Sequence, residues 1–184
     1  MIKSLTLYSV GHSDRSLESL MDVLREAGIK TLVDIRAQPQ SRRHPQFSDA
    51  SLRAACEAAG IAYHWAGRQL GGRRAPRNDS RHVALTDDGL RGFADYMESQ
   101  VFANGIAALI KLARLSKVAM LCAEREPGHC HRSLIADYLA LQGIAVVHLL
   151  ELDQRREHAL SPQARRESAE LIYDRQVTAA LDLA

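Results

Sequence analysis

Short apolar runs alternate along this chain with longer segments whose apolar positions recur every three or four residues, the pattern of strands interleaved with amphipathic helices. "LTLYSV" (Leu5–Val10) has strand character and stops at Gly11. "SLESLMDVLREAG" then places Leu17, Leu20, Met21 and Leu24 at helical spacing and ends at Gly28. "KTLVDIR" predicts a second strand, its continuous apolar run suggesting burial on both faces. A loop punctuated by Pro39 and Pro45 follows, then a helix capped by Ser48 and running to Gly60, and a third short strand, "IAYHW". Thr86 is the predicted N-cap of a helix through Met97, and a further helix covers Gly105–Leu115. The strand "KVAMLCA", a helix over Arg132–Leu141, a stop at Gly143 and the strand "IAVVHLL" come next. Ser161 and Pro162 make an N-cap and first-turn pair, predicting a charged C-terminal helix.

Strands separated by helices require parallel crossovers. The predicted fold is therefore α/β, a three-layer sandwich with a mainly parallel sheet flanked by helices. Residues 1–150 form its single domain. Residues 151–184 form a C-terminal helical extension, packed on that domain or used in a homodimer. The polar segment Ala66–Arg81, rich in Gly and Arg, has little to bury and predicts a surface loop or a mobile lid.

Composition adds limits. With 184 residues, 46% of them hydrophobic, the chain can build a sizeable core. A formal net charge of +2 gives no strong global attraction to nucleic acid or membrane. Three cysteines do not make a secreted disulfide framework. The start "MIKSLTLYSVGHS" has no charged n-region, apolar run or cleavage site, and no stretch approaches the roughly 20 apolar residues of a membrane span. The expectation is a cytoplasmic protein with reduced thiols and no membrane partner. The basic residues are 20 Arg against 4 Lys, a bias that coding preference explains as readily as a need to grip phosphate or carboxylate.

Ligands of open parallel sheets sit beyond the carboxyl ends of the strands, so the residues there are the candidates for chemistry. After the first strand come Gly11, His12 and Ser13; after the second, Asp34 and Arg36, with Ser41 and Arg42 in the loop beyond. "LCAEREPGHCHRSL" (Leu121–Leu134) delivers Cys122 and Glu124 at a strand end and Cys130, His131 and Arg132 at a helix start. A helix N-terminus with Arg36 and Arg132 on either side suits a phosphate, sulfate or carboxylate, and lowers the pKa of a thiol placed there. On this reading Cys122 or Cys130 is nucleophile or redox centre, with His131 and Glu124 moving protons. The alternatives are a transient disulfide and purely structural roles. Cys56, in a small-residue helix, reads as core.

Two further readings stay open. Cys122, Cys130 and histidines (His131, with His12 as a fourth) offer soft metal ligands, but C-x7-C-H is not a usual zinc spacing, and adjacent Cys130 and His131 are not expected to reach one ion. The expectation is no metal. The stretch Arg36–His82 holds nine Arg against three acids, with Tyr63 and Trp65, a mixture compatible with nucleic acid or with a solvated loop.

These residues carry a resemblance. "SVGHS", "LVDIRAQPQSRRHPQFS", "GIAYHWAGRQLGG", "MLCAEREPGHCHRSLIADYL" and "VVHL" occur in the order of the bacterial and archaeal family called domain of unknown function 488, over roughly residues 5 to 150. The resemblance implies a single α/β domain whose activity is not established. It implies weight at Gly11, His12, Ser13, Asp34, Arg36, Pro39 and Ser41, at Leu70, Gly71 and Gly72, and at Cys122, Glu124, Cys130, His131 and Arg132. A looser similarity to rhodanese-like domains rests on Asp34-x-Arg36, Cys122 and Arg132-Ser133, although the loop is longer and the G-H-I-x-G-A stretch is missing. The spacing of cysteine-dependent phosphatases fails, because Gly128 stands where their Arg would be. The sequence names no cofactor. It points to a thiol-dependent transferase or hydrolase acting on a small anionic substrate, held by His12, Ser13, Asp34, Arg36, Ser41, Arg42, Gly71, Gly72 and Arg132.

Overall fold

A computed structural model describes residues 5–176. Its centre is a six-stranded sheet in the order β3-β2-β4-β1-β5-β6. The strands are β1 (Thr6–Gly11), β2 (Thr31–Asp34), β3 (Ala62–Trp65), β4 (Val118–Cys122), β5 (Ala145–Glu151) and β6 (Gln154–Glu157). The first five are mutually parallel, and β6 returns antiparallel on β5. The α/β class and mainly parallel sheet expected from the sequence are both present.

Side-chain alternation along the strands sends apolar groups to both faces, which is why the central strands read as unbroken apolar runs. Ala119 and Leu121 of β4 join Val10 and Leu32 against α1 (Leu17–Glu26) and α2 (Asp49–Ala58). Val118, Met120 and Cys122 point the other way, into the layer of α4 (Asp88–Tyr96), α5 (Gln100–Leu115) and α6 (His131–Leu141). Cys122 therefore faces α6 by strand parity alone.

Helix starts follow side-chain capping. Ser16 and Ser48 accept from the amides of Ser19 and Ser51. The α4 cap is Asp87, whose carboxylate accepts from Leu90 N at 2.8 Å, in place of the predicted Thr86. Ser99 caps α5, which begins five residues before the predicted Gly105. Gly105 lies inside that helix, where a Cβ would come within 2.7 Å of the Gln69 side chain in the short helix α3 (Gly67–Leu70). The predicted Ala66–Arg81 loop thus opens with a helical turn, and Leu70 is fully buried.

The C-terminal extension differs from the sequence expectation. Instead of a helix after Ser161-Pro162, residues 164–173 form a hairpin of β7 (Ala164–Glu167) and β8 (Glu170–Tyr173), with Ser168 at a positive φ of 55° in its turn. "ELIY" buries Leu171, Ile172 and Tyr173, and apolar burial of that run outweighs a capping signal worth about 1 kcal/mol. The remainder of the predicted helix, 177–184, lies outside the described residues.

A buried polar chain ties this extension to the sheet. Asp137 of α6 accepts from Tyr173 OH (2.8 Å), Ser161 N (2.9 Å) and His158 Nε2 (2.8 Å). His158 Nδ1 then accepts from His148 Nε2 at 3.0 Å, and His148 Nδ1 accepts from Ser9 Oγ at 2.6 Å. Each side chain in this series has a hydrogen-bond partner, as burial requires. Ser9 is wholly buried in β1, so the series is a fastening and not a nucleophile with its base.

Candidate functional site

At the carboxyl ends of β1, β2 and β4 a cavity of about 740 Å³ opens between the loops that follow them. It is lined by His12 and Ser13 after β1, by Arg36, Ser41 and Arg42 after β2, and by Cys122 and Glu124 after β4. Gly72, Cys130 and His131 complete the side formed by α6 and the segment after α3. The strand ends thus converge as the topology rule anticipates. Arg43, His44, Arg73 and His129 also line it. They were not among the residues expected from the sequence, although "SRRH" carries a basic signal for the first two.

The floor is a compact cluster of two thiols and an imidazole. Cys130 is the N-cap of α6, in extended conformation, and its Sγ accepts from Arg132 N at 3.5 Å. His131, the first helical residue, turns its ring into the same space. Its Nε2 donates to the Ile35 carbonyl at 3.3 Å, which fixes the tautomer and leaves the Nδ1 lone pair facing both sulfurs. Nδ1 lies 3.8 Å from Cys122 Sγ and 3.6 Å from Cys130 Sγ. Adjacent Cys130 and His131, not expected to reach one ion, bring their donor atoms together here because the cap residue and the first helical residue have different backbone conformations. All three groups are buried, with their donor atoms within 4.8 Å of one another, and among the described residues they are the one such group able to hold a metal ion.

The two thiols differ in acidity. The neighbouring Cys130 thiol, followed by His131 and Arg132, draws Cys122 well below the ordinary thiol value. Burial and the neighbouring Cys122 charge push Cys130 well above it. Cys122 is thus the more acidic of the two thiols. Cys56 is buried apart in the α1–α2 layer, its thiol pushed up to about 11 by burial, and it is core as expected.

The predicted anion ligands divide. Arg132 does not reach the cavity: its guanidinium is fully buried and donates to the main-chain carbonyls of Glu124 and, at 2.6 Å, Arg125. It pins the loop between β4 and α6. Arg36 lines the cavity but is clamped to Asp34 through Nε (2.9 Å) and Nη2 (2.6 Å), with Tyr63 OH donating to the same carboxylate. Its Nη1 faces His12 Nε2 at 3.3 Å. His12 donates from Nδ1 to Ser13 O and stacks on Phe47, and burial lowers its pKa. Asp34 is fully buried and acts on Arg36, not on the cavity. Glu124 is exposed at the rim, outside the thiol–imidazole cluster. Arg42, Arg43 and Arg73 are exposed there too and supply positive charge at the cavity rim.

Glycines allow the close approaches. A Cβ on Gly72 would sit 2.5 Å from Cγ of His131, and one on Gly71 2.7 Å from Ala37 Cα. A Cβ on Gly11 would lie 2.7 Å from the Glu124 carbonyl carbon. Gly71 itself does not line the cavity.

Much of the arginine-rich 36–82 stretch is engaged elsewhere. Arg77 pairs with Glu98 at 2.8 Å, and Arg81 with Glu98, Glu167 and Glu170. Arg53 and Arg74 lie over the rings of Tyr63 and Tyr96.

Fold and site together define a parallel α/β protein with a buried dithiol–imidazole cluster under a basic cavity. The chain belongs to the family described as Domain of unknown function DUF488, whose model matches residues 16–139. No curated protein and no solved structure matches the chain. No helix among the described residues is long and apolar enough to cross a membrane.

Proposed function

We propose that the protein is a thiol-dependent enzyme acting on a small anionic substrate, with Cys122 as nucleophile. The observation that carries this reading is the meeting of Cys122, Cys130 and the Nδ1 of His131 at the floor of a cavity rimmed by Arg42, Arg43 and Arg73. The arginines hold a phosphate, sulfate or carboxylate group, and the buried floor excludes bulk water from the sulfur. The Cys122 thiolate attacks an electrophilic atom of the bound substrate. A bond to sulfur forms, and the bond to the leaving group breaks with its electron pair. His131, held by Ile35, carries the thiol proton on Nδ1 and returns it to the leaving group. Transfer of the sulfur-bound group to water or to another acceptor completes a hydrolase or transferase cycle. Glu124, at the exposed rim, is left out of the proton path.

The test is alkylation of the folded, reduced protein at neutral pH, with the modified cysteine identified by mass spectrometry. Cys122 is expected to react quickly, faster with iodoacetate than with neutral iodoacetamide, and phosphate should slow it. Inert Cys122 and Cys130 would overturn the nucleophile reading. A nucleic-acid role for the 36–82 stretch has weaker support, since Arg77 and Arg81 are neutralised by acids. Retention on DNA or RNA at low salt, falling steeply with added salt, would favour that role instead.

A further inference from the structure

The geometry points to a second use of the same floor: Cys122, Cys130 and His131 bind a thiophilic divalent cation of the zinc class, with one coordination position left open to the basic cavity, and the bound ion switches off the thiol chemistry. The switching rests on the reading of Cys122 as nucleophile; the binding of the ion does not.

Distances carry the argument. Zinc binds thiolate sulfur at about 2.3 Å and imidazole nitrogen at about 2.0–2.1 Å, so a tetrahedral ion holds its N and S ligands about 3.6 Å apart and two S ligands about 3.8 Å apart. The separations from His131 Nδ1 to the two sulfurs are 3.6 and 3.8 Å, and all three donor atoms lie within 4.8 Å of one another. Both nitrogen–sulfur separations match those of such a tetrahedron, and the two sulfurs are within 4.8 Å of each other.

The second shell fits as well. A metal-ligating histidine usually donates its other ring nitrogen to a carbonyl or carboxylate, which aims the coordinating lone pair. His131 Nε2 does so to Ile35 O, and the ring is held by Phe93 (4.9 Å, edge-on) and by the close approach of Gly72. Cys130 Sγ receives the Arg132 amide, which offsets thiolate charge. Three protein ligands with an open fourth position is the arrangement of zinc sites that keep an exchangeable ligand, and here the opening faces the cavity that would hold the anion. A thiolate bound to the ion has its lone pair committed, so alkylation at Cys122 stops while the ion stays.

The full-length reduced protein is titrated with Co2+ alone and then with Zn2+ alone. The expected result is one Co2+ per chain, with the intense visible bands of tetrahedral Co2+ and a thiolate-to-cobalt charge-transfer band, all removed by equimolar Zn2+. Cys56→Ser should behave as wild type. Cys122→Ser, Cys130→Ser and His131→Gln should each lose the spectrum; any that fails to fold leaves the wild-type spectrum and Cys56→Ser to decide. Iodoacetate labelling of Cys122 should fall about 100-fold at free Zn2+ of 100 times Kd and recover on chelation. No uptake, a pale octahedral spectrum, or uptake that survives loss of both Cys122 and Cys130 overturns the site. Tetrahedral binding without protection of Cys122 overturns the switching. If the metal-free thiols prove inert, the nucleophile reading fails while the cobalt spectrum still decides the metal site.

Discussion

The Cα of Gly72 lies against the imidazole of His131, close enough that a single added methyl would collide with the ring. A glycine far along the chain thereby sets the orientation of the Nδ1 that faces Cys122 and Cys130. Gly72→Ala should cost about 1–3 kcal/mol as an overpacked site, seen as a lower urea midpoint at unchanged slope. It should also weaken Co2+ binding by about 10–100-fold, the usual cost of disturbing what orients a ligand. Unchanged Co2+ affinity would show that the ring is aimed by something else.

Arg132 is expected to be a structural arginine. Arg132→Met keeps the buried stem and removes two charged hydrogen bonds to the Glu124 and Arg125 carbonyls. The loss should be on the order of 3 kcal/mol, with limited proteolysis opening at 123–129 before the rest of the fold. A variant of wild-type stability that merely lost anion protection would return Arg132 to the ligand-binding role.

The rim arginines should behave in the opposite way. Arg42 and Arg43 are exposed at the cavity, so the double change to Ala should shift stability by no more than about 0.5 kcal/mol. The preference of Cys122 for iodoacetate over iodoacetamide should drop towards unity, and phosphate should lose its protective effect. Retention of both would place the anion elsewhere.

His148 gives the fold a pH dependence. Burial, then the charges of His158, Arg132 and Arg156, push its pKa down to about 3. The unfolded chain takes up a proton near the ordinary value of about 6.5, while the native state resists. The unfolded state thus binds more protons between those values. The contribution is intact above about 6.5, falls as pH drops, and is fully lost near 3. The slope is at most about 1.4 kcal/mol per pH unit from this group. Urea midpoints between pH 7 and 4 should fall accordingly, and His148→Gln should flatten the profile. An equally steep profile in that variant would assign the effect to other groups.

Sequence and structure agree where short-range physics rules. Continuous apolar runs in β2 and β4 made buried parallel strands, and strand ends collected His12, Arg36 and Cys122 at one edge. Ser48, the cap of α2, was legible because its side chain needs nothing beyond its own helix turn. Thr86 was misread because Asp87, one residue on, offers a stronger acceptor. The C-terminal hairpin was misread because its strands are fixed by burial of Leu171, Ile172 and Tyr173 against the domain, a long-range effect that no local cap reveals.

The sequence by itself determined that a strand would hand Cys122 to a loop and that a helix would begin near His131, since both follow from hydrophobic period and turn chemistry. Only the tertiary structure decided which groups meet. Arg132 lost its anion role because its guanidinium answers the nearest unpaired carbonyls, and Arg36 is held by a buried Asp34. Cys130 and His131, neighbours not expected to reach one ion, bring their donor atoms together because the backbone turns from extended to helical between them. Such choices rest on distances between segments far apart in the chain, and a linear pattern carries no measure of those distances.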